Sequence, residues 1–197
     1  MKSIHLILSL ALEVVALTGC SLVGKKVEPE PKQEVTKVEK KEVSATEEKV
    51  EDKEIIEFEG ISFKLPKNSA VIPLEKQLLP TKAFFLDRSH LANLNIVVES
   101  LAKPMKLDQY IEVVTRSTGY NYISKQNYSN GEIQWNESIS LNQVSGKNIK
   151  LNQRTFIYNN KAYIFTYGAS EGNYDLYLKL YEEITNSVVS LAKLKTI

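Results

Sequence analysis

Residues 154–167 read Arg154-Thr155-Phe156-Ile157-Tyr158-Asn159-Asn160-Lys161-Ala162-Tyr163-Ile164-Phe165-Thr166-Tyr167. Aromatic and β-branched residues fill the runs 154–158 and 162–167, the composition of strands that pack a pleated surface. Both central positions of a two-residue type I′ turn need positive φ, which asparagine tolerates, so Asn159-Asn160 predicts a tight antiparallel hairpin. Upstream, Asn130-Gly131 carries the same signal and links a strand ending near Tyr128 to the run 132–141. There Ile133, Trp135, Ile139 and Leu141 recur at even spacing and share one face. The two hairpins together predict an antiparallel meander of three or more strands.

The flanks supply the other layers. Residues 55–66 read as two short strands about Gly60, with Ile61, Phe63 and Leu65 on one face and Pro66 ending the run. Residues 82–86 and 94–101 read as further strands, the second nearly continuous at Ile96-Val97-Val98 and hence interior. After Pro104, Leu107, Tyr110, Ile111 and Val114 fall at i, i+3, i+4 and i+7, an amphipathic helix with Asp108 in its first turn and Gly119 at its end. Tyr177, Leu180, Tyr181, Ile184, Val188 and Leu191 form a second helical stripe, with Asn173 placed to cap it. The expected fold class is α+β, an antiparallel β-sheet covered by helices.

Two segments carry a family resemblance: Glu59-Gly60-Ile61-Ser62-Phe63-Lys64-Leu65-Pro66 near the start, and Asn160-Lys161-Ala162-Tyr163-Ile164-Phe165-Thr166-Tyr167, followed by Ile184-Thr185-Asn186-Ser187-Val188. In these the chain resembles the PsbP/MOG-like superfamily, including the DcrB-like bacterial lipoproteins. The resemblance implies an α/β/α sandwich and accessory or adaptor roles exerted by protein contact. It brings no catalytic motif.

The amino-terminal residues are of a different kind. Lys2 precedes an apolar stretch, residues 4–17, interrupted by Glu13 and followed by Thr18-Gly19-Cys20, the order of a secretory signal peptide. Fourteen residues are too few for a spanning helix, which needs roughly 20. Leu17-Thr18-Gly19-Cys20 resembles a bacterial lipobox, in which the cysteine thiol receives a diacylglyceryl group. Residues 1–19 are therefore expected to be a lipoprotein signal peptide and Cys20 the lipidated residue, holding the chain to a membrane through two or more acyl chains. The alternatives are an ordinary secretory leader with an incidental cysteine, or a buried apolar helix. Residues 20–53 follow as a tether: from 21 to 53 there are eight lysines, nine acidic residues, two prolines and no aromatic. Such a segment buries too little apolar surface to offset its ordering entropy and spans roughly 30 Å as a flexible chain. Its interleaved Glu and Lys also suit an exposed, i,i+4-paired helix. Residues 54–197 make the folded domain.

Composition narrows the chemistry. Of 197 residues, 25 are basic and 24 acidic, a net charge of +1 that gives no reason to expect a nucleic-acid partner. The single cysteine and two histidines leave no disulfide, no common zinc set and no cofactor motif. Gly168-Ala169-Ser170-Glu171-Gly172 matches the G-x-S-x-G nucleophile elbow between a strand and a helix, yet no histidine follows Ser170 to act as its base. It reads as a turn that uses Gly168 and Gly172 for backbone freedom. His90, beside Asp87, Arg88 and Ser89, reads as part of a polar turn, and Glu182 and Glu183 as water-facing. All ten tyrosines lie beyond Lys106. Most fit the core, but Tyr120, Tyr122 and Tyr174 stand in or beside predicted turns and are the candidate binding surface. The expected function is a non-enzymatic, protein-binding or accessory module of the cell envelope, lipid-anchored outside the cytoplasm, with an envelope protein as partner. A binder of a small ligand or envelope polymer is the second reading, and a hydrolase the third.

Overall fold

A computed structural model describes residues 52–130 and 133–190. Cys20 and the segments expected to be signal peptide and tether, residues 52 and 53 excepted, lie outside the described residues. The chain runs through β1 (Lys53–Phe58), β2 (Ile61–Pro66), β3 (Ala70–Val71), β4 (Thr81–Asp87), β5 (Ala92–Ser100), α1 (Leu107–Ser117) and β6 (Tyr122–Asn130). It continues through β7 (Ile133–Val144), β8 (Lys147–Tyr158), β9 (Lys161–Ser170), α2 (Tyr174–Asn186) and β10 (Val189–Ser190). Strand β1 begins at Lys53, one residue before the expected domain start.

The meander is as the sequence predicts. A seven-stranded sheet has the order β3-β4-β5-β9-β8-β7-β6, every neighbour antiparallel. Asn159 and Asn160 carry φ of 47° and 56°, the conformation that the two-residue hairpin requires. Asn130 lies opposite Ile133, but the turn residues 131 and 132 are outside the described set. The two short strands about Gly60 do not join this sheet. They form a second, three-stranded one, β1-β2-β10, whose Ile61, Phe63 and Leu65 are buried against the first. The ring of Phe63 meets that of Phe165 edge-on at 5.6 Å.

Strand alternation divides the large sheet into two faces. One carries Leu94, Ile96, Trp135, Phe156, Tyr163, Phe165 and Tyr167, covered by α2 and the small sheet. The other carries Val97, Ala162 and Ile164, covered by Tyr110 and Val114 of α1. Helices thus lie on both faces of an antiparallel sheet, an α+β sandwich. Helix α1 ends at Thr118, and Gly119, at φ +66°, reverses the chain in the left-handed conformation that glycine adopts without strain.

Three local expectations are corrected. The second helical stripe stops at Asn186, so Val188 is buried outside the helix, Val189 pairs with Ser62 in β10, and Leu191 lies outside the described residues. Ser187 makes the break: its backbone N–H donates to Glu183 and Ile184 carbonyls, and its hydroxyl accepts the Lys64 N–H at 2.8 Å, tying the helix end to β2. Asn173 stands at the N-cap position without a side-chain cap bond, because a 3₁₀ turn, Glu171–Asn173, leads into the helix instead. Gly168 lies inside β9, and a side chain there would come within 3.1 Å of Leu151 and 3.4 Å of Asn93. It serves close packing rather than backbone freedom.

Helix α2 is fixed to the sheet by polar contacts in an otherwise aromatic layer. The Tyr181 hydroxyl accepts the Arg154 backbone N–H at 3.0 Å and donates to the Phe165 carbonyl at 2.9 Å, and these two residues are register partners across β8 and β9. The buried Arg154 guanidinium donates to Glu137 at 2.7 Å, Thr185 at 2.7 Å and Glu182 at 3.2 Å. Its carbon lies 5.1 and 5.4 Å from the Tyr128 and Tyr181 ring centres. Burial works to raise the Glu137 pKa, but hydrogen bonds from Arg154, Asn152 and Gln126 outweigh it and hold the carboxyl below the ordinary value. Removing one partner of a buried pair strands the other, so Arg154→Leu is expected to destabilise the fold by about 3–5 kcal/mol. Arg154→Leu combined with Glu137→Leu should recover part of that loss. Urea unfolding of the single and double variants checks both.

A candidate functional site at the β4–β5 turn

The tight connection between β4 and β5 presents charge and ring surface together. Asp87 ends β4, and Arg88, Ser89 and His90 follow in the turn. The turn closes through Leu91, at φ 56°, whose N–H reaches the Arg88 carbonyl. Asp87 folds this turn around its own carboxylate. Oδ1 accepts the backbone N–H of Ser89 at 2.7 Å and of His90 at 3.1 Å, and the Ser89 hydroxyl at 2.6 Å. Oδ2 accepts the Tyr177 hydroxyl at 2.6 Å, delivered from the first turn of α2. These bonds favour the ionised carboxylate and hold its pKa far below the ordinary 3.8, the Ser89 and Tyr177 hydroxyls contributing most. Burial and the same Asp87 contact push the Tyr177 phenol up to about 12.

The donors decide what the histidine can do. His90 Nδ1 lies 2.8 Å from the Tyr177 hydroxyl, 3.1 Å from the Ser89 hydroxyl and 3.4 Å from Asp87 Oδ2. Both hydroxyl protons are already directed at Asp87, so Nδ1 must carry the proton in these contacts. The Ser89 hydroxyl is committed to the Asp87 carboxylate at 2.6 Å. The arrangement is therefore a latch: one carboxylate orients an imidazole and a phenol and fastens the turn to α2. The Arg88 guanidinium carbon lies 5.5 Å from the Phe85 ring centre and extends the same surface.

The polar turn at His90 was legible in the sequence, whereas Tyr177 was assigned to the helical stripe. Its i+4 neighbour Tyr181 is buried, but Tyr177 stands one turn earlier, at the sheet margin, where the β4–β5 turn meets the helix. The three candidate binding tyrosines do not form one surface. Tyr174 is 1% exposed, its ring 5.2 Å from that of Tyr167 and under the Lys150 ammonium at 4.0 Å. Helix α2 begins at Tyr174, so its side chain points down onto the sheet rather than out from a turn. Tyr120 and Tyr122 do pair, ring centres 6.1 Å apart, on the opposite face, where Tyr120 packs against the α1 cluster and the Tyr122 hydroxyl meets Thr118 at 3.1 Å. Ser170 ends β9, Glu183 bonds Lys53 at 2.7 Å, and Glu182 reaches the buried Arg154 rather than facing only water. Among the described residues no group of three or more metal-ligating side chains occurs.

Because the folded state lowers the Asp87 pKa, the latch contributes stability above pH 3.8 and loses it as pH falls below that value toward the folded one. Asp87→Asn should therefore lower the Tm at pH 7, and the gap to the unaltered protein should narrow as the pH is taken from 4 to 2. Calorimetric scans of both proteins across that range check this.

No protein-family model matches the chain, and no curated protein matches it in sequence. Solved structures do match in shape. The cyanobacterial PsbP of Synechocystis sp. PCC 6803 aligns with a TM-score of 0.53 at 12% identity, over 76% of this chain and 98% of that one. A Pseudomonas aeruginosa protein of unknown function aligns with a TM-score of 0.52 at 11% identity, over 70% of this chain and 96% of that one. A Bacteroides thetaiotaomicron protein aligns at 0.51 and 14% identity over 66% of this chain, which spans 45% of that protein. At such identities the likeness concerns the fold alone, and the fold is PsbP-like.

Proposed function

We propose that this chain is a lipid-anchored extracytoplasmic lipoprotein whose PsbP-like domain serves as a non-enzymatic, protein-binding accessory module of the cell envelope. Anchoring rests on the sequence: an apolar stretch too short to span a bilayer, then Leu17-Thr18-Gly19-Cys20, then the charged segment. Among the described residues no helix is long and apolar enough to cross a membrane. Acyl chains on Cys20 hold the chain to the membrane, and the segment 20–53 sets its distance from it.

The observation that carries the binding role is the β4–β5 surface. Arg88 and Tyr177 are of residue types enriched at protein interfaces, and Asp87 holds Tyr177 and the neighbouring His90 in place before any partner arrives. Fixing these rotamers in advance reduces what association costs in side-chain entropy. An open cleft of about 240 Å³ between α1 and the sheet, lined among others by Asp108, Ile111, Glu112 and Asn127, is smaller than the roughly 300–1,000 Å³ of ordinary ligand pockets.

Two outcomes are expected. Cys20→Ala should move the protein from the membrane to the soluble fraction on cell fractionation. Crosslinking of the lipidated protein in its own cells, followed by mass spectrometry, should attach one envelope protein to the β4–β5 surface. That adduct should fall in the His90→Ala/Tyr177→Ala variant. An adduct indifferent to both substitutions would place the contact elsewhere, and none above the Cys20→Ala control would favour the ligand reading.

A further inference from the structure

The large sheet ends in two very different edges. At one, β3 is two residues long, with Pro66 and Pro73 on either side of it, so little strand is offered for pairing. The other edge is β6, Tyr122-Ile123-Ser124-Lys125-Gln126-Asn127-Tyr128-Ser129-Asn130, with β7 as its one strand neighbour among the described residues. It contains no proline or glycine and a single charge in nine residues, whereas the exposed edge strand β1 places Lys53, Glu54 and Glu57 in six. A bulge between Tyr122 and Ser124 interrupts one end of β6 and leaves Ser124 to Asn130 in regular register.

Beside this edge lies the cleft under α1. Its helix side carries Asp108 and, one turn on, Glu112, which is paired with Arg116 at 2.6 Å, and its floor includes Asn127, Asn136 and Lys125 of the strands. Asp108 accepts from the Asn127 side-chain amide at 2.6 Å, which holds its carboxylate at the edge. A strand added to β6 would send alternate side chains into this cleft, and the acidic side selects a cation among them. Strand β6 carries such a cation, Lys125, on the face it shares with Asn127.

We infer that the partner of this edge is a second copy of the chain, paired antiparallel through β6 about Gln126. Antiparallel pairing on a two-fold axis at Gln126 sets Lys125 of each copy opposite Asn127 of the other, side chains on one face at about 4.5–5.5 Å between Cβ atoms. Each ammonium then meets the Asp108 carboxylate that its partner's Asn127 holds. Two reciprocal ion pairs form, and the register that would oppose Lys125 to Lys125 is disfavoured. The two seven-stranded sheets become one. Strands β9, β8 and β7 separate this surface from the β4–β5 turn, so the inference stands apart from the accessory reading.

The test is disulfide trapping of the full chain in intact cells. Gln126→Cys should yield an oxidised dimer on a non-reducing gel, while the unaltered chain, with Cys20 alone, and Val71→Cys on the β3 edge should not. Adding Lys125→Asp should reduce the dimer by about tenfold or more through like-charge opposition to Asp108, and adding Asp108→Lys to that variant should restore it. Unchanged trypsin resistance of each variant shows that the fold persists. No dimer from Gln126→Cys overturns the inference, as does a dimer indifferent to the charge reversal or an adduct with a protein of another mass.

Discussion

The hydroxyl of Tyr181 lies between two register partners of the central sheet, accepting from Arg154 and donating to Phe165. A helix packed on a sheet through apolar contacts alone is free to slide by a fraction of a turn, whereas one whose side chain bridges two strands is fixed in position and rotation. The same helix is fixed a second time by Arg154, whose guanidinium reaches Thr185 and Glu182. These bonds are made among aromatic rings that exclude water, where an unmade polar contact is expensive. Together they select one arrangement of α2 over its neighbours.

The placement of the candidate site follows. Tyr177 lies one turn before Tyr181, so fixing Tyr181 on β8 and β9 brings Tyr177 to the end of β4. There Asp87 takes its hydroxyl and, with it, orients His90. Surface polar clusters of this kind are ordinarily mobile. This one is tied to the core through a single helical turn, and its donors are all committed. Surface and core are thus mechanically continuous, which is what a contact site prepared in advance requires.

The two faces of the sheet divide the remaining work. The aromatic face holds most of the apolar core and takes α2 and the small sheet, while the opposite face turns polar toward β6, where Asn127, Asn136 and Ser138 replace the Val97 and Ile164 of the interior strands. A polar floor beside a long strand that has one strand neighbour among the described residues leaves room for a further strand without exposing core. Helix α1 stands over this floor and gives it an acidic wall. The β3 edge has neither the length nor the wall.

The amino-acid sequence by itself determined most of the elements and the hairpin pairing of the meander, because period-two alternation and residues that accept positive φ act locally. Asn159-Asn160 and the runs beside it specify a hairpin in any surroundings. The expectation of a leader, a lipidated Cys20 and a tether likewise rests on composition and local order alone. The α+β class followed from element order, and the polar turn at Asp87 to His90 from its residues. Tertiary structure decided what depends on residues far apart in the chain. That Ile61, Phe63 and Leu65 belong to a separate sheet depends on Val189 pairing with Ser62 across more than a hundred residues. That Tyr174 is buried while Tyr177 meets Asp87 depends on the rotation of α2, which the buried Arg154 and Tyr181 set. Helical periodicity shows which residues share a stripe, but not which end of that stripe lies over the core and which reaches the rim.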